Sequence, residues 1–325
     1  MDLIYIKKYN LNNIYFFYVF FKVFTKTNKL YILICLIIIY LIFISSVNKD
    51  IKICLCVIAK NENLYVREFV EYYKKIGYNN IFIYDNNDIN GEHFEDVIND
   101  YIQNNFVQII NFRERNTNTR PTFDAYEDCY SKNFKKYNWI SFYDMDEFLI
   151  LHKKYKTIQN FLNDKIFEKC INIKINWILS KNDQVLYFEN KPLLERIKIF
   201  DYKDPANIHI KSTIRGNLPM NYWKNTNNPH SSLWNFTSCS SSGNIVEYNS
   251  PFVNPPDFTN AHLKHFYYKS FEEFCIKAKR GKCDMTKQES NKLVDSTLKI
   301  IYEQNKNNPE KLKIINKIFN NTLFK

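Results

Sequence analysis

Four short apolar runs alternate with three segments of helical spacing, and this alternation constrains the chain more than any other feature. The runs lie at 53–59 (ICLCVIA), 80–84 (NIFIY), 106–110 (FVQII) and 138–143 (NWISFY). Between them Val66, Phe69, Val70, Tyr73 and Ile76 recur up to Gly77, then Phe94, Val97, Ile98, Tyr101 and Ile102, then Phe123, Tyr126, Tyr130 and Phe134. Runs this short and β-branched read as buried strands, and recurrence every three to four residues reads as helix. Strands separated by helices need crossover connections, so the spacing predicts an α/β fold with a mostly parallel sheet covered on both faces. Ligands of such sheets bind beyond the carboxyl ends of the strands. Lys60 and Glu62, Asp85 to Asp88, Arg113 to Arg120, and Asp144 with Asp146 occupy those ends, and we expect them to converge on one crevice.

With 325 residues, 45% of them apolar, the chain can bury a sizeable core. Its five glycines (Gly77, Gly91, Gly216, Gly243, Gly281) are too scattered to form a phosphate-cradling glycine loop, which argues against a P-loop NTPase or a dinucleotide-binding dehydrogenase. The net charge of +11 divides as +5 over residues 1–52, −1 over the middle and +7 over residues 264–325. A groove tracking a phosphate backbone needs its charge on the folded middle, so nucleic acid is not expected as a partner.

Residues 30–48 carry no charge, and the stretch LYILICLIIIYLIFI within them is apolar apart from two tyrosines. At 1.5 Å per residue such a run just spans a bilayer core of roughly 30 Å. Lys7, Lys8, Lys22, Lys26 and Lys29 precede it, which places the N-terminus in the cytoplasm by the positive-inside rule. The expectation is a single-pass, type II membrane protein with a lumenal body, of Golgi or ER type in a eukaryote. The sequons Asn235-Phe236-Thr237 and Asn320-Asn321-Thr322 fit that compartment. Outside the membrane segment seven cysteines remain; they cannot all pair, and no C-x-x-C suggests a zinc finger.

Past residue 151 the pattern gives a helix at 158–168, a strand at 171–178, a loop-rich stretch holding seven of the nine prolines, and helices at 270–280, 290–305 and 309–324. The most informative point is the end of the fourth strand, Asp144-Met145-Asp146-Glu147. Like charges this close cost about 4 kcal/mol per pair at an effective dielectric of 20 unless a cation compensates. Two aspartates at i and i+2 past a strand end suit Mg²⁺ or Mn²⁺, which also keeps water and phosphate oxygens. Such an ion can neutralise a departing diphosphate. Asp85 or Asp88 is placed to accept hydrogen bonds from a ribose or base, although a D-N-N-D run is equally a turn former.

Ordered motifs carry a resemblance. Cys56-Val57-Ile58-Ala59-Lys60-Asn61-Glu62-Asn63, Phe69-Val70-Glu71-Tyr72-Tyr73, Ile83-Tyr84-Asp85-Asn86-Asn87-Asp88 and Trp139-Ile140-Ser141-Phe142-Tyr143-Asp144-Met145-Asp146-Glu147-Phe148 resemble the family 2-like and family 92 (formerly domain of unknown function 23) glycosyltransferases. Asn176-Trp177, Leu194-Glu195-Arg196, Lys211-Ser212, His265-Phe266-Tyr267-Tyr268-Lys269-Ser270, Glu272-Glu273-Phe274 and Gly281 extend the likeness over residues 53–283. The resemblance implies a GT-A fold and a nucleotide-sugar donor, a uridine diphosphate sugar, with a glycan or glycoconjugate acceptor. It implies Mn²⁺ or Mg²⁺ at Asp144 and Asp146 with His265 completing the site, and Lys211 and Arg215 balancing the diphosphate. It further implies inversion, so that a carboxylate deprotonates the acceptor; Asp183, Glu195, Asp201 and Asp204 are the candidates, none singled out by chemistry. The domains expected are residues 1–29 (cytoplasmic), 30–48 (anchor), 49–283 (GT-A transferase) and 284–325 (basic helical tail). The different-class alternative is a non-catalytic glycan-binding or adhesion protein on a degenerate transferase scaffold.

Overall fold

The computed structural model describes residues 34–39, 51–113, 120–181, 185–218, 230, 236–282 and 285–319. The chain divides into two units, Met1–Asp50 and Ile51–Lys325. In the first, only residues 34–39 are described, and they are helical; the rest of the expected anchor at 30–48 lies outside the described residues. Among the described residues no helix is long and apolar enough to cross a membrane.

The second unit opens with the alternation read from the sequence. β1 (Ile53–Ala59) leads to α1 (Asn63–Lys75), β2 (Asn80–Asp85), α2 (Glu95–Gln103), β3 (Val107–Asn111), α3 (Pro121–Asn133) and β4 (Trp139–Phe142). β1 is buried along its whole length, as a central strand covered on both faces must be. Its alternate side chains divide between two cores: Ile53, Leu55 and Val57 join α1 residues Val66, Phe69, Val70 and Tyr73, while Cys54, Cys56 and Ile58 meet α3 residues Tyr126, Cys129 and Tyr130. α1 ends beside Gly77, whose φ of +101° lies in the region glycine enters without strain. Pro121 starts α3 at a position where its missing N–H costs no bond.

Beyond β4 the chain makes β5 (Glu147–Leu151), α4 (Ile158–Leu162), a short 3-10 turn at Lys165–Phe167, and β6 (Asn172–Ser180). Then follow α5 (Leu193–Arg196), β7 (Phe200–Asp201), a 3-10 turn at Pro205–Ile208, β8 (Ile210–Arg215), β9 (Ser238–Cys239), β10 (Ile245–Val246) and β11 (Ala261–His265). Along the sheet the order is β10-β9-β6-β8-β4-β1-β2-β3, with β11 joining β5 to β6 and β7 paired to β6. The first four strands are parallel, as the crossover argument requires. The sheet as a whole is mixed, however, because β8 runs antiparallel between β4 and β6, and β5 antiparallel to β11. These antiparallel pairings fall outside the strand–helix–strand alternation that makes the first four strands parallel.

α6 (Phe271–Arg280), α7 (Lys287–Asn305) and α8 (Pro309–Phe319) close the chain around a third core of Phe271, Cys275, Leu298, Ile301, Ile314, Ile315 and Phe319. Of the cysteines, Cys170 and Cys239 form a disulfide, Cys54, Cys56, Cys129 and Cys275 are buried free thiols, and Cys283 lies outside the described residues.

Candidate functional site

A cavity of about 940 Å³ opens beyond the carboxyl ends of β1, β2 and β4, where the topology places a ligand site. The turn between β4 and β5 forms its centre. Asp144 and Asp146 both line it. The turn is closed by Glu147 N–H donating to Asp144 O (3.1 Å) and Asp144 N–H donating to Glu147 Oε2 (3.0 Å). Asp146 is held from below, its carbonyl accepting from Phe266 N–H at 2.8 Å.

Each aspartate meets an ammonium. Lys211, on β8, brings Nζ to 2.7 Å from Asp144 Oδ2 and 3.8 Å from Glu147 Oε2. Lys277, on α6, brings Nζ to 2.5 Å from Asp146 Oδ2. Burial alone would raise both aspartates; Lys211 outweighs it for Asp144, and Lys277 with His265 outweighs it strongly for Asp146, so both carboxyls are held below the usual range. Burial would likewise lower Lys211, and the facing carboxylates instead keep it above the ordinary lysine value. Glu147 differs: fully buried, it is pushed well above the glutamate range by desolvation, with Lys211 opposing.

His265 closes the far side, Nε2 at 3.5 Å from Asp146 Oδ1 and its ring 4.8 Å from that of Trp177. Burial lowers its pKa against the pull of Asp146, which keeps the imidazole neutral, the form that binds metals. Its Nδ1 and Glu147 Oε1 stand 3.8 Å apart, and neither has a hydrogen-bond partner among the described residues. Trp177 stacks on His209 at 4.9 Å and meets His230 edge-on at 5.4 Å. Burial, then Lys211, lowers His230 to about 3.

Two carboxylates and a neutral imidazole on one cavity wall are a donor set that fits Mn²⁺ or Mg²⁺ in kind, and the ammonium groups already on both carboxylates mark the wall as a place for cations. In this arrangement, among the described residues, no three His, Cys, Asp or Glu side chains are gathered closely enough to chelate an ion; Asp144 is turned to Lys211 and Asp146 to Lys277.

The remaining residues expected at the crevice divide. Lys60 and Asp88 line the cavity and pair with each other at 2.8 Å. Glu62 forms buried wall, held by Arg280 at 2.5 Å and Lys269 at 3.2 Å. Asp85 sits behind the wall, where its carboxylate takes Arg113 at 2.7 Å and the Asn87 backbone N–H at 2.9 Å, so it shapes the loop that presents Asp88. Arg120 reaches Glu289 of α7 at 3.5 Å. Arg215 is at the other end of the sheet. Because β8 is antiparallel, Arg215 pairs with Trp139 at the start of β4, four residues or roughly 13 Å from Lys211, and its guanidinium covers the Trp139 ring and donates to Cys170 O. Of the base candidates, Glu195 is exposed on α5, while Asp201 and Asp204 accept backbone N–H groups of Lys203 and Ala206 in local turns; none lines the cavity. Asp183 lies outside the described residues.

The family 92 glycosyltransferase model matches residues 49–316. The chain belongs to glycosyltransferase family 92. No curated protein matches it. Among solved structures, the mannosyltransferase PcManGT from Pyrobaculum calidifontis, solved with GDP-Man and Mn²⁺, is 9% identical over 40% of this chain and 37% of its own, at a TM-score of 0.31. TarS from S. aureus is 11% identical over 77% of this chain and 43% of its own, at 0.37. GalNAc-T7, solved with UDP, GalNAc and Mn²⁺, is 14% identical over 40% and 24%, at 0.29. The chain thus spans less than half the length of each, and at such scores the likeness supports no structural argument.

In this family 92 transferase, several motif residues act on the framework. Arg196 donates twice to Glu273, at 2.5 and 2.6 Å, and Tyr65 donates to the same carboxylate at 2.5 Å. Glu273 also completes the capping box with Ser270 at the start of α6. That anchor turns the stripe Phe274, Lys277, Ala278 and Gly281 toward the cavity. Lys277 escapes a reading of the sequence motifs, yet its i, i+3, i+4, i+7 companions show a lysine on an otherwise small and apolar face.

Proposed function

We propose that this transferase moves a sugar from a nucleoside diphosphate, uridine diphosphate first among the candidates, to a hydroxyl of a glycan or glycoconjugate, with inversion, on a GT-A framework. The observation that carries the reading is the acidic turn: Asp144 and Asp146 share one cavity at the sheet's rim with Lys211 and Lys277, an arrangement suited to receiving a metal-bound diphosphate. Asp144, Asp146 and His265 would hold Mn²⁺ or Mg²⁺, which when bound supplies Lewis-acid stabilisation of the leaving diphosphate. Lys211 holds Asp144 and Glu147 fixes the backbone of the turn, so the turn that carries both carboxylates is set before the ligand arrives, while Asp146 has still to be released by Lys277. Trp177 and His209 wall the side where the sugar would lie. Glu62, Asp88, Asp144 and Asp146, all at the cavity, are each paired with a cation, and three base candidates stand elsewhere. Of the four base candidates read from the sequence, the three described ones do not line the cavity, and Asp183 is the one we propose for the acceptor proton.

Residues 30–48 are proposed as a type II membrane anchor, supported by the uncharged run and by the Cys170–Cys239 disulfide, a bond that persists in oxidising compartments. The test of function is a panel of nucleotide sugars with Mn²⁺ and purified full-length protein, read by donor turnover. We expect turnover with one donor class, its loss on chelation of the metal, and a fall of more than about a hundredfold in Asp183→Asn. No turnover with any donor overturns the proposal.

A further inference from the structure

Lys211 and Lys277 each neutralise one carboxylate of the acidic turn, but they are held differently. Lys211 lies on a strand flanked by β4 and β6; its side chain is 2% exposed and it faces the Asp144 carboxylate at 2.7 Å, with the buried Glu147 side chain at 3.8 Å. Lys277 lies on a helix at the cavity wall. Its side chain is 23% exposed, it faces Asp146 alone at 2.5 Å, and its ammonium also sits 4.3 Å from the centre of the Tyr267 ring. One ammonium is built into the sheet; the other reaches its carboxylate from a helix at the cavity wall on a flexible four-carbon stem. A divalent ion cannot take Asp146 Oδ2 while an ammonium rests on it, since like charges at that range repel strongly. A diphosphate arriving with the ion brings the negative charge that a displaced ammonium needs. Lys269 and Arg280 are committed to Glu62, and Lys60 to Asp88.

We propose, resting on the reading of the cavity as a site for a metal-bound nucleoside diphosphate, that Lys277 is an exchangeable counter-ion. It neutralises Asp146 in the free enzyme, yields that carboxylate to the divalent ion, and moves its ammonium onto the donor diphosphate. The exchange makes metal and nucleotide assist one another: each gives Lys277 a reason to leave or a place to go, and the assistance is reciprocal.

The test is calorimetric titration of the full-length enzyme with Mn²⁺ alone, with uridine diphosphate alone, and with uridine diphosphate at saturating Mn²⁺. In the wild type, uridine diphosphate should tighten Mn²⁺ by about tenfold or more, the scale of one charge-assisted hydrogen bond. Lys277→Gln should shift the two affinities in opposite directions: Mn²⁺ alone about tenfold tighter, uridine diphosphate with Mn²⁺ about tenfold weaker. Lys277→Arg, which keeps the charge, should hold both near the wild-type values, and Lys277→Met serves if the glutamine variant does not fold. An unchanged or tighter nucleotide affinity in Lys277→Gln means the ammonium does not reach the diphosphate, and the proposal falls. Equal Mn²⁺ affinity with and without nucleotide in the wild type overturns it without any variant. A wild type that binds no uridine diphosphate with any divalent ion removes instead the underlying reading of the cavity.

Discussion

Glu147 follows the acidic pair directly and is wholly buried, one oxygen accepting the Asp144 N–H and the other without a hydrogen-bond partner among the described residues. Desolvation raises its pKa, so the folded state keeps a proton that the unfolded chain releases. Its contribution to stability is therefore complete below the ordinary glutamate pKa and declines as pH climbs from there toward the raised value. Glu147→Gln should remove that decline: urea unfolding at pH 4 and pH 7 should show a smaller loss between the two in the variant than in the wild type. At this scale the sequence was legible where chemistry and chain position coincide. Asp144 and Asp146 could be read because a strand ends on them. Lys277 could not, because its partner is 131 residues away. Arg215 was misplaced in reading because Lys211-Ser212 is a local motif, while the direction of β8 is set by its neighbours β4 and β6. Asp85 shares its run with Asp88, yet Asp85 is the buried last residue of β2 while Asp88, three residues on in the loop, lines the cavity.

The helix α6 shows how an element is aimed. Its first turn is fixed by Ser270 and Glu273, and Glu273 is gripped by Arg196 and Tyr65 from distant parts of the chain. The Arg196 and Glu273 side chains are 2% and 3% exposed, so removing one partner strands the other in a poor dielectric. Arg196→Met should cost about 3–5 kcal/mol in chemical denaturation, and where the protein still folds it should weaken nucleotide binding through the tilt of Lys277. Unchanged stability would show that the pair is not what sets α6. The alternating elements up to β4 follow from local periodicity, and their limits fall within a few residues of those expected. The strands β5, β8 and β11 escape periodicity because each is placed by partners far along the chain.

Across the whole second unit, two cores sandwich the parallel strands and a third gathers the last helices, while the cavity sits where sheet, α6 and α7 meet. The disulfide ties residues 69 apart and joins the start of β6 to β9. Cys170→Ser with Cys239→Ser should lower stability by about 2–4 kcal/mol, and a reductant should produce the same loss in the wild type and none in the double variant. The family could be read in the sequence because its motifs are strand ends and helix caps, positions that a parallel arrangement fixes in space. The central claim is that the acidic turn holds the donor diphosphate through a divalent ion, and the most direct measurement is uridine diphosphate binding with and without Mn²⁺ in the wild type, Asp144→Asn and Asp146→Asn. The account predicts Mn²⁺-dependent binding in the wild type that falls by at least about tenfold in either variant, with folding retained. Equal binding in all three proteins, or binding indifferent to Mn²⁺, would contradict it.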